Sequence, residues 1–262
     1  MTTIQKAMKI ASQEGDWTVK GKLVCRQIFV KRRDGQTSKL LIEVFVDLDG
    51  AVIEVKSWSE KKAYTVFRKF KQDECIEIAA SGPVREPNSK YSMAKCEIYA
   101  RWFLTPIDNF KLRNYIHCVS NIEKYHLSTK KPASVVGLYE QSTVGPKKMS
   151  RSGHLIAQGY YVRLMDDMGR SYQVLVWSNV HLDKGKPPLA HCDNNSVVLI
   201  IYAREQEERY RRNTPGYYTL TSTYPPVVNP DCVSPHTRAN LRRRRQSLDC
   251  ERCIPYDSED AG

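Results

Sequence analysis

The sequence of 262 residues predicts an all-β chain built as two tandem five-stranded barrels, and two observations carry that prediction. The first is a pattern written twice. "VDLDGAVIEVKSW" at 46–58 and "MDDMGRSYQVLVW" at 165–177 share one internal spacing: Asp47, Gly50 and Trp58, then Asp166, Gly169 and Trp177, 119 residues on. Each copy has an apolar run ("KLLIEVFV", "GYYVRLM"), read as alternating, then a D-x-x-G turn and a second β-rich run ending in Trp. That is a β-hairpin, with Asp and Gly supplying the side-chain bond and the positive φ of a tight turn. The second observation is that the surroundings repeat. A glycine-bearing strand precedes each copy, "WTVKGKLVC" and "ASVVGLYEQ", with Gly21 lying 26 residues before Asp47 and Gly137 lying 29 before Asp166. An ordered repeat of this length is a duplicated domain; a solenoid would have a shorter period.

The elements follow in order. Residues 1–14 form a lead-in. The first domain, 15–104, has strands at 17–29, 38–47, 51–58, 74–82 and 91–102, with a helical "SEKKAYTVFRKF" at 59–70 after the third. Five strands with a helix after the third is the order of an OB-fold, a partly open barrel. Residues 105–131, with Pro106 and a Lys-Pro stop, form an interdomain linker. The second OB-fold, 132–231, has strands near 133–142, 157–166, 170–178, 196–204 and 216–223. Its third-to-fourth connection is Pro-rich and less helical. The tail, 232–262, is Arg-rich and then acidic, and is expected to be disordered.

Charge and composition narrow the function. Lys and Arg number 41 against 29 Asp and Glu, a net +12, and the last thirty residues account for only +1 of it. A basic globular part points to phosphate, as in nucleic acid or an anionic surface. No run approaches the ~20 apolar residues of a membrane span, and the start lacks a secretory apolar stretch, so a soluble intracellular protein with no membrane partner is expected. The eight cysteines lie scattered among strand-like segments and read as reduced core thiols. Only Cys250-x-x-Cys253 has metal-ligand spacing; its nearest companions, Cys232 and His236, do not complete a convincing zinc set, so no metal is expected.

No catalytic residues are expected: there is no G-x-S-x-G, phosphate-binding glycine loop or H-E-x-x-H, and the six histidines are dispersed. No cofactor is expected. Basic residues interleaved with aromatics stand out instead. The loops that overhang an OB-fold's binding face carry Arg26, Lys31, Arg32, Arg33 and Lys39, then Arg85 and Lys90, in the first domain. The second repeats the layout with Lys147, Lys148 and Arg151, then Arg209, Tyr210, Arg211, Arg212, Tyr217 and Tyr218. These cations are candidate phosphate contacts. Base stacking on an aromatic ring is worth ~1–3 kcal/mol per base. Trp58 and Trp177 end the third strands, where they either face the groove or plug the barrel. Tyr64 lies on the helical stretch, where core packing is the alternative to stacking. Of adjacent Tyr160 and Tyr161, one points in and one out.

Together "DWTVKGKL", "KLLIEVFVDLDG", "IHCVSNIEKY", "YYVRLMDDMGRSYQVLVW" and "VVNPD" resemble the two central DNA-binding domains of the replication protein A large-subunit family, over residues 15–231. The resemblance implies tandem OB-folds that bind single-stranded DNA with little sequence preference. It carries a stacking Trp onto Trp177 and a second aromatic near Tyr210, with Tyr217 or Tyr218 as alternatives. In the first domain it puts a stacking aromatic where Leu41 stands and another near Tyr64, with Trp58 a substitute for the missing one. The family's protein-interaction domain and zinc domain are absent, which suggests a shortened paralogue or a viral or specialised relative.

The expectation is therefore a single-stranded DNA-binding protein of replication, recombination or repair, located in the nucleus or at a viral replication site within it. RNA is an open alternative ligand, and other replication or repair proteins are candidate partners. Two alternatives remain: a sequence-specific binder of telomere-like ends, and an OB-fold used as a protein-interaction module. Arg242–Arg245 reads as an import signal or auxiliary contact.

Overall fold

The computed structural model describes residues 4, 16–33, 36–57, 70–81, 96–99, 102–124, 132–149, 153, 155–179, 189–205 and 219–252. Two six-stranded sheets form, one per predicted domain. The first contains β1 (Asp16–Arg33), β2 (Gln36–Asp47), β3 (Val52–Ser57), β4 (Cys75–Ser81), β5 (Cys96–Tyr99) and β6 (Trp102–Pro106), in spatial order β5-β3-β2-β1-β4-β6. The second contains β7 (Ala133–Met149), β8 (Leu155–Met165), β9 (Ser171–Asn179), β10 (Val197–Glu205), β11 (Thr219–Ser222) and β12 (Val227–Val228), in the same permutation, β11-β9-β8-β7-β10-β12. The predicted fifth strand of the first domain is split, that of the second matches β11 alone with β12 beyond it, and in each barrel the fifth strand is thus in two pieces. Its first piece runs parallel to the third strand and its second runs antiparallel to the fourth. An added β10–β11 pairing closes the second barrel. This is the OB-fold, twice. The helix predicted at 59–70 falls on residues outside those described, Phe70 apart.

The repeated turn explains its own sequence. Asp47 Oδ1 accepts from the Asp49 and Ala51 amides at 2.9 and 2.8 Å, and Gly50 takes φ +78°. Asp166 Oδ1 accepts from the Met168 and Arg170 amides at 2.9 Å each, and Gly169 takes φ +82°. The second oxygen of each Asp reaches upstream: Asp47 Oδ2 accepts the Ile4 amide and Asp166 Oδ2 the Ile122 amide, both at 3.1 Å. Ile4 and Ile122 are both buried. The duplicated unit therefore begins before each barrel, at "TIQK" and "NIEK". The two upstream glycines also match. A Cβ on Gly21 would stand 3.1 Å from that of Phe45, and one on Gly137 would stand 3.0 Å from that of Leu164, so each is where β1 or β7 crosses closely over its partner.

Alternation sorts the strands into faces. Leu23, Phe45, Ile53, Val55 and Ile78 fill barrel 1, and Val162, Leu164, Tyr172, Val174 and Val176 fill barrel 2. The outer residues differ. Ile42, Val44, Val46 and Val52 of barrel 1 join Val136, Leu138, Val197, Leu199 and Val227 of barrel 2 in a third cluster between the barrels. This corrects the reading of "KLLIEVFV" as alternating: β2 is apolar on both faces because both faces are covered. Leu112 and Ile116 of the linker enter the same cluster. Each such buried side chain is worth about 1.5–3 kcal/mol. Exposing four would cost roughly 6–12 kcal/mol, the scale of a whole domain's stability. The barrels therefore stay joined.

Polar bonds register this interface. Tyr224 Oη donates to Glu54 Oε1 at 2.9 Å, while Lys56 Nζ lies 3.0 Å from Glu54 Oε2. Gln27 Nε2 donates to the Thr223 carbonyl at 2.5 Å, Lys22 pairs with Asp231 at 3.3 Å, and the Ile116 amide donates to Cys232 O at 2.9 Å. Tyr224 is held from behind by Tyr202, edge to face with centroids 4.6 Å apart. Tyr202 sits at a β10 register shift with φ +54°, a conformation rare for an aromatic residue.

The tail expected to be disordered folds in part. Pro235–Arg252 forms a helix, α1. Ser234 caps it, its hydroxyl accepting the Thr237 amide at 3.0 Å, and Pro235 stands at the first helical position. Val233 and Leu241 are buried in the interbarrel cluster, with Leu248 packed against it. Residues 253–262 lie outside those described.

Candidate nucleic-acid interface

On the outer face of β7, β8 and β9, cross-strand pairing makes three rows: Gln141–Arg163–Gln173, Thr143–Tyr161–Leu175, and Gly159–Trp177. Trp177 shares its parity with Gln173 and Leu175, opposite to the barrel-filling Val174 and Val176. Its half-buried ring therefore belongs to the outer face and is not a barrel plug. Glycines flank it for packing reasons. A Cβ on Gly159 would come 2.8 Å from Leu175 Cδ1, and one on Gly145 would come 3.0 Å from Gly159 O. Gln158 Nε2 ties that floor together, donating to Gly145 O and Gly159 O at 2.9 Å each. Tyr160 and Tyr161 are both buried, at 2% and 8% exposed, Tyr160 on the inward parity and Tyr161 on the outer one.

Lys147 and Lys148 lie on the extension of β7, opposite Gln158 and Ala157, and both are exposed. The Lys147–Gln158 pair is thus one residue along from Gly159, the partner of Trp177. Strands lie about 5 Å apart. Lys148, opposite Ala157, has the parity of Gly159 and hence of the half-buried Trp177, while Lys147 has the other. Val144 and Met149 on the same strand are 63% and 51% exposed.

The remaining candidates divide. Arg26, expected in a loop, lies within β1, with Nε 2.9 Å from Glu43 Oε1 and its side chain only 10% exposed. It is engaged in barrel 1 and is not presented to solvent. Lys31, Arg32, Arg33 and Lys39 fall on the far ends of β1 and β2, where the backbone alone is described. Trp58, Tyr64, Arg85, Lys90, Arg151, Arg209, Tyr210, Arg211, Arg212, Tyr217 and Tyr218 lie outside the described residues. Leu41, where the resemblance expects an aromatic, is fully buried against the β1 side of barrel 1, paired with Ile28. The sequence left open which of Tyr160 and Tyr161 faces out, and it gave no sign of Gln158 bonding the glycine floor. Cross-strand register, absent from a linear reading, decides both.

Electrostatics separate structural groups from surface ones. Burial pushes the Glu43 carboxyl up to about 7, a rise that Arg26 opposes. Burial likewise raises the Cys25 and Cys232 thiols and takes Cys118 up to about 11, which keeps them protonated and fits core packing. Tyr224 is raised by burial and then by the Glu54 charge, so it stays a donor. Among the described residues, no group of three or more His, Cys, Asp or Glu could hold a metal ion. Cys250 is exposed near the end of α1, and Cys253 lies outside the described residues.

Fold and site together define a tandem OB-fold protein whose two barrels share a core and whose second barrel presents an open aromatic and basic sheet edge. No family model matches the chain, and no curated protein matches it. Among solved structures it is similar to a replication protein A heterotrimer bound to single-stranded DNA, at 14% identity and a TM-score of 0.63, covering 97% of this chain and 56% of that one. The chain thus spans just over half the length of the one it matches, and the likeness establishes the fold. DNA-binding domain A of Saccharomyces cerevisiae replication protein A (TM-score 0.30, 11% identity, 38% of this chain, 90% of that one) is similar too weakly to carry an argument. So is the single-stranded DNA-binding protein of Thermus aquaticus (0.25, 10%, 79% and 87%).

Proposed function

We propose that the protein binds single-stranded nucleic acid, DNA first, with little sequence preference. One observation carries this reading: Trp177 stands on the outer face of β9, on the parity of the exposed Lys148, with the exposed Lys147 next to it on the same strand. A single strand exposes base faces for an indole and a phosphate chain for cations, and both are offered on one sheet edge. The net charge of +12 supplies the long-range attraction. The resemblance of the sequence motifs to replication protein A supports a role of that type in replication, recombination or repair, and a nuclear location.

A titration of oligo-dT, matching duplex and matching RNA across a salt series tests the reading. Each neutralised phosphate contributes about −0.7 to the log–log slope on single strands, so four to six contacts give roughly −3 to −4. Binding that ignores salt, or that prefers duplex, contradicts it.

A further inference from the structure

The two barrels treat equivalent faces in opposite ways. An OB-fold engages nucleic acid across its second and third strands and the loops beside them. In barrel 1 the outer residues of that face are Ile42, Val44, Val46, Val52 and Glu54, each 9% exposed or less. Glu54 is engaged by Tyr224, Gln27 beside it by Thr223, and the aliphatic residues belong to the interbarrel cluster. The covering chain is the segment from Thr223 to Val233, which returns from the last strands of barrel 2.

The same positions in barrel 2, 119 residues on, read Tyr161, Arg163, Met165, Ser171 and Gln173. Four aliphatic residues and a glutamate have become a largely polar set. Arg163, Ser171, Gln173 and the neighbouring Trp177 are only partly buried. Met165 joins the interbarrel cluster and Tyr161 is 8% exposed, so the covering of this face is partial, whereas that of barrel 1 is complete across all five positions.

We infer that barrel 2 alone reads the nucleic acid on its sheet face, while barrel 1 braces it, so that each chain has the footprint of one OB-fold. This rests on the single-strand reading above. One OB-fold covers roughly 4–16 nucleotides. Two tethered reading faces would add avidity once the strand spanned both, a gain of about 10²–10⁴. A single face gains only from the number of registers available, about two- to threefold for a doubled length.

The test is a length ladder of oligo-dT, about 8, 16, 24 and 32 nucleotides, with the full chain at one salt concentration, read by anisotropy for affinity and by sedimentation for stoichiometry. The expected result is that affinity per chain reaches a plateau by about 16 nucleotides, and that two chains load on the longest strand. A hundredfold gain between about 16 and 32 nucleotides, with one chain per strand, would overturn the inference and leave single-strand binding standing. Absence of binding at every length would overturn both.

Discussion

Trp58 and Trp177 occupy matching places in the repeat, and the structure settles the face of one of them. Trp177 is outward by parity, with its neighbours Val174 and Val176 in the core. Glu43 is a residue of the opposite kind, buried inside barrel 1 against Arg26 where barrel 2 has Val162. Its folded carboxyl titrates near 7 against an ordinary value of 4.5. A carboxyl raised in this way favours the fold while it is protonated in both states. Its contribution is complete below about pH 4.5 and is lost as pH rises through about 7, a change on the order of 3 kcal/mol at ~1.4 per pKa unit. Urea unfolding at several pH values should show this decline, and Glu43→Gln should flatten it. An unchanged slope in the variant would mean that another group carries it. In Arg26, the sequence showed a cation and hid its engagement, because Glu43 is seventeen residues away in sequence and adjacent only across the β1–β2 ladder.

Among the elements, the strands were legible and the helix was not. Period-two patterning and D-x-x-G turns placed the strands to within a few residues, and β1 and β7 proved longer than expected because their hairpins extend past the barrels. Helix α1 was hidden by its four consecutive arginines, which read as tail. Its start was visible in Ser234-Pro235, a cap and a first-turn proline, and its buried side in Leu241 and Leu248, seven residues apart. Removing residues from 233 onward would therefore strip Val233 and Leu241 from the interbarrel core. Leu241→Ala alone should cost about 2–5 kcal/mol. A loss under about half a kcal/mol in chemical unfolding would show that the helix merely rests on the surface. The turn elements make a matching prediction. Asp166→Ala frees three backbone amides and should destabilise by roughly 2–4 kcal/mol, and Asp47→Ala by a similar amount, since it frees the Ile4 amide together with two of its own turn. A clear loss for one and none for the other would contradict the equivalence of the repeats.

At the scale of the molecule, duplication supplied two barrels and sequence divergence gave them different surroundings. The wholly apolar outer face of β2 and the mixed one of β8, where Arg163 stands between Tyr161 and Met165, are that divergence, and the interface between barrels was written in "KLLIEVFV" as a run too apolar for a half-exposed strand. A shared core of this extent predicts one cooperative thermal transition, with calorimetric and van't Hoff enthalpies in agreement. Two resolved transitions would mean independent barrels. The central claim, that barrel 2 offers a stacking surface for single strands, is tested most directly by Trp177→Ala, measured for melting temperature and oligo-dT affinity on the same sample. The expected result is a loss of about 1–3 kcal/mol in binding with the melting temperature nearly unchanged. An early-melting variant with a stability loss of ~3–5 kcal/mol, whose folded fraction binds oligo-dT normally, would contradict it and make Trp177 a core residue.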